Sequence, residues 1–177
     1  MKIRMDRFNI YLMVAVMALV GGCSSPDPKS QEEKNKEKEA STLRFHLEVN
    51  PDNTGRNGPV KVVRTNPITI NVTWQPFLTE VDMERAELVD SMGVPAIMVQ
   101  FSHPSGVRLL EYYTGNYKGQ RIAIQSDFGQ SRWLAAPQIN QRIENGVFVF
   151  TPDANQEECE RIVRGLNNMI RQIKKKK

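Results

Sequence analysis

The segment Ala96-Ile97-Met98-Val99-Gln100-Phe101 contains one polar residue, Gln100, among apolar ones. A short apolar run of this kind is typical of a strand in the middle of a sheet, where both faces are covered. Residues 43–49 and 68–74 alternate large apolar with polar side chains, which is typical of strands with one buried face. These patterns predict a sheet with residues 96–101 at its centre.

Further strands and two helices are predicted around this sheet. Shorter apolar segments predict strands at residues 60–63, 83–90, 121–126 and 147–150. One helix is expected from about Gly106 to Tyr117, with Ser105 as its cap and Gly119 beyond its end. The second runs from about Asp153 into the C-terminal lysines. Its apolar residues follow three-four spacing and predict one buried stripe: Cys159, Ile162, Val163, Leu166, Ile170 and Ile173. This order predicts an α+β fold, a two-layer sandwich with a largely antiparallel sheet packed by two helices.

The N-terminus has the order of a secretory signal. It begins with three basic residues, Lys2, Arg4 and Arg7, and continues with an apolar run from about Ile10 to Val20. The small residues Gly21 and Gly22 then precede Cys23. A signal-anchor helix is the alternative, but the apolar run is roughly half of the ~20 residues that a membrane span needs.

The segment Leu19-Val20-Gly21-Gly22-Cys23 resembles the lipobox of bacterial lipoproteins. In that family the signal is removed before the cysteine, which carries the acyl chains. The resemblance therefore implies that residues 1–22 are a signal peptide and that Cys23 is the lipidation site. Ser24 follows the cysteine where an aspartate would mark the inner membrane in the enterobacterial pattern. The resemblance thus favours an exported protein on the periplasmic face of the outer membrane over the inner membrane.

Residues 23–41 predict the acylated cysteine and a disordered tether, because the segment after the cysteine holds no large apolar side chain. Residues 42–177 are long enough for one domain. The net charge falls from +4 to about +2 when Lys2, Arg4 and Arg7 leave with Asp6, so no nucleic-acid partner is expected. The lysines of residues 174–177 either contact anionic lipid head groups or form a solvated tail.

From Gln75 onward a series of short sequence motifs occurs in a characteristic order. It contains Pro76-Phe77-Leu78-Thr79, the apolar strand Pro95–Phe101, Gly106 with Leu110 and Thr114, Asn116 and Gly119, Ala123-Ile124 with Asp127, Ala136-Pro137 with Ile139, and Ile143 with Gly146. Over about a hundred residues this series resembles the head subdomain of the first periplasmic domain of SecD, from the SecDF protein-export family. The resemblance implies an α+β head that contacts polypeptides. The membrane helices and second periplasmic subdomain of SecD have no counterpart in this sequence.

No pattern of catalytic or metal-ligating residues accompanies this fold. His46 is expected on the polar face of an edge-like strand and His103 in a turn, and with Cys159 on a helix they have no zinc spacing. Cys159 is expected to be a small core residue. Asp127-Phe128-Gly129 copies a kinase triplet, but the other kinase motifs are missing, so it predicts a turn. We expect no enzyme, no cofactor and no metal.

A segment longer than its counterpart in the SecD family, Phe128–Leu134, is expected to be a loop that carries Trp133 beside Arg132. Aromatic and arginine side chains are enriched in binding hot spots, so Phe128, Arg132 and Trp133 are the predicted partner-binding residues. The alternative is a tryptophan that folds back over the sheet.

Together these patterns predict a lipid-anchored, non-catalytic envelope protein that binds a protein or an unfolded polypeptide, with an accessory role in protein export. The membrane is its second partner, through the acyl chains on Cys23. Two alternatives remain. One is a structural envelope lipoprotein without a client, and the other is an enzyme of unknown type, which would need a pocket with perturbed acids.

Overall fold

The computed structural model of the chain describes residues 35, 36, 38–102 and 104–176. The predicted signal peptide, Cys23 and most of the predicted tether lie outside these residues, as does His103. Within the described part of the chain, no helix is long and apolar enough to cross a membrane.

The described residues form eight strands and two long helices, and all strand pairs are antiparallel. The strands are β1 (Thr42–Leu47), β2 (Asn57–Val62), β3 (Ile68–Thr73), β4 (Met83–Ser91), β5 (Val94–Phe101), β6 (Ile122–Asp127), β7 (Ser131–Ala135) and β8 (Val147–Phe150); the helices are α1 (Ser105–Asn116) and α2 (Gln156–Lys176). Their sheets have the orders β1-β6-β7, β2-β3 and β4-β5-β8. The predicted α+β sandwich is confirmed.

Strand β5 lies between β4 and β8, which agrees with its apolar sequence. Ile97, Val99 and Phe101 are fully buried on its inner face. The ring of Phe45 from β1 meets the rings of Phe101 and Phe148 edge to face, each with a centroid distance of 5.5 Å. Aromatic pairs in this geometry add to the free energy of burial, so β5 joins two of the sheets into one core.

Helix α2 packs its predicted stripe on the sheets, with Cys159, Ile162 and Leu166 fully buried. Its polar Asn167 has a separate role at the outer edge of β4. The side-chain amide of Asn167 donates to the carbonyl oxygen of Ala86 at 2.8 Å, and its Oδ1 accepts from the Ala86 N–H at 2.9 Å. One side chain thus satisfies both backbone groups that β4 presents at this position.

Two local predictions are wrong. The segment predicted as the Phe128–Leu134 loop is a hairpin, because its second half is strand β7, paired with β6. Gly129, at a φ of +97°, allows the tight turn that brings β7 back, and its N–H donates to the Asp127 side chain at 3.2 Å. In addition, Pro104 holds the N-cap position of α1 without a side-chain hydrogen bond, so Ser105 is the first helical residue and not the cap.

The last residues of the predicted tether contact α2. The Arg164 side chain pairs with Glu39 at 2.7 Å, and the Asn168 amide donates to the carbonyl oxygens of Lys36 and Glu39 at 2.9 and 3.0 Å. Ser41 is buried. The packed domain therefore begins before residue 42. An ion pair and hydrogen bonds to main-chain carbonyls, rather than large apolar side chains, hold this segment.

Gly165 permits this close approach, since a Cβ atom at this position would lie 2.4 Å from the Ser41 hydroxyl and 2.9 Å from the Ser41 nitrogen. We expect Gly165→Ala to lower the free energy of unfolding of the full chain by about 1–3 kcal/mol, the usual cost of overpacking. In a chain that begins at Thr42 the same substitution should raise it by up to about 1 kcal/mol, because alanine favours helix. Urea unfolding of the four proteins measures both effects, and the same sign in both chains would contradict the contact.

Candidate functional site

Two of the predicted partner-binding residues belong to the folded interior. Phe128 is 3 % exposed and lies in the main core. The guanidinium of Arg132 lies 5.1 Å from the centre of the Phe128 ring, and its Nη2 is 3.2 Å from Oε1 of Glu158 on α2. These contacts fasten the β6–β7 hairpin to α2, so they have a structural role.

The carboxylate of Glu158 is the centre of this cluster. Burial alone would raise the pKa of Glu158, but the Asn155 N–H and the guanidinium groups of Arg132 and Arg64 together lower it. The Arg64 side chain reaches Glu158 at 3.2 Å and Asp153 at 3.3 Å. The cluster therefore keeps an ionised carboxylate that is paired with two arginines, which is the arrangement of a structural ion pair and not of a general acid.

The third predicted residue, Trp133, is half-buried between two sheets. The β2–β3 sheet covers the face of the β1-β6-β7 sheet that carries Trp133, and Val60, Val62 and Val72 pack there with Ala123. The prediction assumed an exposed aromatic on a loop. The three side chains form no such surface, and the alternative of a tryptophan folded over the sheet describes its packing.

His46 lies on the same covered face and is only 3 % exposed, which corrects the prediction of a polar, open face. Its Nδ1 lies 2.7 Å from the Thr73 carbonyl oxygen and therefore carries the proton of the neutral ring. The other nitrogen, Nε2, is buried without a hydrogen-bond partner. The His46 ring packs edge to face on the Trp133 ring, with a centroid distance of 4.9 Å. Burial, together with the nearby Arg44 charge, lowers the pKa of His46 even though the hydrogen bond to Thr73 raises it.

The lowered pKa of His46 predicts a loss of stability in weak acid. The folded state prefers the neutral ring, so the unfolded chain binds more protons below its ordinary pKa of 6.5. The free energy of unfolding should fall as the pH is lowered from about 7.5 to about 5.5 in urea titrations. His46→Gln should flatten this dependence. The chain has two histidines, so His103→Gln is the matched control and should retain it; the opposite pattern would contradict the assignment.

The remaining described residues with reactive or metal-binding side chains either have a structural role or lie too far apart to form a site. Cys159 is fully buried, and burial raises the pKa of its thiol, which is the reverse of what a nucleophile needs. Among the described residues, no group of three or more histidine, cysteine and carboxylate side chains is placed to hold a metal ion. Glu84 and Asp90 are exposed on β4, and Glu87 pairs with Arg85 at 2.8 Å.

Two neighbouring clefts, which we together call the β8 trough, lie at the edge of β8. Their volumes are about 570 and about 360 Å3, and both are lined by Val149 and Pro137. The first cleft is otherwise lined by Val63, Ile68, Ser91, Leu134, Ala135, Ala136, Phe150, Thr151 and Asp153, and the second by Thr114, Ile122, Gln138, Ile139, Asn140, Gln141, Ile143 and Phe148. Asp153 is the one charged side chain among them, and Arg64 neutralises it. The trough is therefore suited to apolar and uncharged groups.

The backbone of β8 also faces this trough. Phe101 N–H donates to Gly146 O, so the hydrogen-bonded pairs with β5 continue at Phe148 and Phe150. In an antiparallel ladder the intervening residues point their N–H and C=O groups the other way. For Val149 these groups point away from β5, and no described residue contributes a hydrogen bond to them.

The sequence analysis missed this site. Val147–Phe150 was predicted as a strand, but the pattern of a single strand does not show which strand will be its neighbour. The available signal was composition: the four residues Val-Phe-Val-Phe contain no proline or charged residue of the kind that protects edge strands.

Similarity to known structures supports the fold. A solved structure of SecDF, a membrane component that enhances protein export, matches with a TM-score of 0.56 and 22 % identity, covering 83 % of this chain and 71 % of its own. A crystal structure of SecDF in its super-membrane-facing form also matches at 0.56 and 22 %, covering 80 % of this chain and 21 % of its own. No protein-family model and no curated protein matches the sequence. The predicted resemblance to a SecDF domain is confirmed at the level of the fold.

Proposed function

We propose that this chain is a non-catalytic, lipid-anchored protein that binds extended polypeptides at the periplasmic face of a membrane, as an accessory to protein export. The observation that carries the proposal is the β8 trough. It joins walls of apolar and uncharged polar side chains, in which the one carboxylate is paired with Arg64, to backbone groups that have no hydrogen-bond partner in the described chain. A polypeptide without tertiary structure has both matching components, namely apolar side chains and free N–H and C=O groups.

The link to export comes from the fold. SecDF enhances protein export, and this chain shares its fold at 22 % identity. The arrangement of the described ionisable groups also favours binding over catalysis, because Glu158 is paired with arginines and the Cys159 thiol is buried. Folds are shared by proteins of different function, so the site and not the fold is the subject of the tests below.

The anchor rests on the sequence of residues 19–23 and its resemblance to a lipobox. Several acyl chains attached to Cys23 would hold the domain at the bilayer nearly irreversibly, because each buried methylene contributes ~0.8 kcal/mol to the free energy of membrane binding. Ser24 favours the outer membrane.

Cys23→Ser should abolish acylation and leave a precursor of higher mass. Because the acyl chains hold the protein, we expect the mature wild type in the detergent phase of a two-phase separation and no labelling of the variant by a radioactive fatty acid. Cys159→Ser is the matched control and should be labelled as the wild type is. Equal labelling of both variants would remove the anchor from the proposal.

Polypeptide binding should depend on Val149, which is 50 % exposed at the meeting point of the two clefts. Val149→Glu places a charge in the trough and should weaken binding of a reduced, carboxymethylated model protein by at least about tenfold. Val94→Glu is the matched control, because Val94 is 47 % exposed on the adjacent strand but lines neither cleft. Fluorescence anisotropy with a labelled client measures both affinities.

These measurements also decide between the proposal and its alternatives. A structural lipoprotein without a client should bind neither the unfolded protein nor its folded form. Equal weakening by both glutamate variants would indicate a general loss of hydrophobic adhesion, and would contradict binding in the trough.

A further inference from the structure

Many outward positions on the strand edges of this domain are protected. Free strand edges pair readily with other chains, and natural proteins cover them or place proline and charged residues on them. On β4, the Asn167 amide occupies both backbone groups of Ala86. On β1, Phe45 donates to Leu78 O and accepts from Phe77 N–H, both at 2.9 Å. Hydrogen bonds therefore occupy these two edge positions.

Outward positions on β2 and β7 are occupied by similar means. On β2, the outward positions are occupied by Pro59, which has no N–H, by Lys61, and by Val63, whose N–H reaches Trp133 O at 3.4 Å. The next carbonyl of β7, that of Leu134, accepts from Asp153 N–H at 2.7 Å. Each of these positions thus meets a protein group or carries a residue type that disfavours pairing.

Strand β8 differs at its centre. Its first outward N–H, that of Val147, is occupied by the Asn145 side chain at 3.1 Å. The next outward residue is Val149, whose N–H and C=O receive no bond from any described residue. Val149 is thus an unprotected edge position that lies inside the trough, where the two clefts meet.

We propose that an extended polypeptide segment adds to β8 as an antiparallel fourth strand of the β4-β5-β8 sheet. In this arrangement one residue of the segment exchanges both backbone hydrogen bonds with Val149. The proposal rests on the polypeptide binding proposed above and assigns its binding mode and sequence preference.

The pleat of β8 determines that preference. Cross-strand neighbours share a face of the sheet, so the residues before and after the central one lie opposite Phe150 and Phe148. Phe150 lines the first cleft and Phe148 the second. The two side chains that flank the central residue therefore enter the two clefts. The preferred client contains two apolar residues separated by one residue of any kind.

The walls of the trough favour one strand over a second copy of this domain. Pro137 lines both clefts together with Val149, and residues 138–141 line the second, so this segment lies beside the β8 edge. If two copies paired through β8, each would have to insert its whole three-stranded sheet into the trough of the other. A single extended segment occupies the width of only one strand.

The test removes one backbone donor. Proline is tolerated at edge positions whose N–H faces away from the ladder, so Val149→Pro in the full chain, purified in detergent, should keep its fold by circular dichroism. It should weaken binding of a short peptide with one Leu-Thr-Leu unit in a serine-glycine context by about tenfold, the loss expected for one or two backbone hydrogen bonds. Val149→Thr keeps the N–H and is the matched control, with affinity near that of the wild type.

N-methylation of the peptide provides an independent measurement on the wild-type chain. A methyl group on the central threonine nitrogen removes a bond to Val149 and should weaken binding by about tenfold, whereas methylation of the second leucine nitrogen, which faces away, should leave the affinity unchanged. Amide hydrogen exchange gives a third measurement, since the peptide should slow exchange at Val149, while the Phe148 and Phe150 amides are already bonded to β5. These two measurements keep the proposal testable if the proline variant does not fold.

The outcomes separate the binding mode from the proposed function. Equal binding of both methylated peptides, with Val149→Glu still defective, would overturn strand addition and leave polypeptide binding in place. Failure of the wild type to bind any unfolded polypeptide would overturn both. A concentration-dependent dimer that Val149→Pro dissociates would assign the edge to a second copy and overturn the client segment.

Discussion

Backbone hydrogen bonding at the strand edges is the constraint on which this fold depends. The described strands form three short sheets, so a large share of their residues lies at an edge. A buried N–H or C=O group without a partner costs about 1–3 kcal/mol. Asn167 supplies both partners of Ala86 from a helix, and residues 77 and 78 supply those of Phe45 from a loop. The side chains of the core could pack in several ways, but these bonds specify which helix and which loop lie at each edge.

The second constraint is that the β1-β6-β7 sheet is covered on both faces. One face carries Phe45 and Ile124 into the main core, and the other carries His46 and Ala123 against the β2–β3 sheet. A histidine with one unpartnered nitrogen in this layer makes the junction of the two sheets sensitive to protonation. The ion pairs of Arg64 with Asp153 and Glu158 hold the loop after β2 to the start of α2. The small sheet is thus attached through both its face and its end.

Sequence patterns predicted the positions of strands and helices better than they predicted which elements pack against them. The apolar run of residues 96–101, the alternation in β3 and the stripe on α2 each reflect local burial, and they predicted a central strand, a half-buried strand and the closing helix. The alternation of apolar and polar residues predicted that His46 lies on an open face. Such alternation distinguishes the two faces of a strand, but it does not show whether a second sheet covers the more polar face. Trp133 was assigned to a loop for a related reason. Its strand is short and begins with the polar Ser131 and the basic Arg132. These two residues break the alternation of apolar and polar side chains that would have indicated a strand paired with β6.

The trough could not be predicted, because it depends on which elements are absent beside β8 rather than on the residues of β8 themselves. The same geometry explains how an unprotected Val-Phe-Val-Phe edge is compatible with a stable domain. Edges of this composition invite pairing between copies, yet here the facing chain around Pro137 restricts the approach of a folded partner, and Asn145 closes one end. In the proposed binding mode, the segment around Pro137 hinders the approach of a second sheet but leaves room for a single extended strand. Protection against aggregation and selection of an unfolded client would then have the same structural cause, which is the position of this segment beside β8 and not the identity of any residue on the strand.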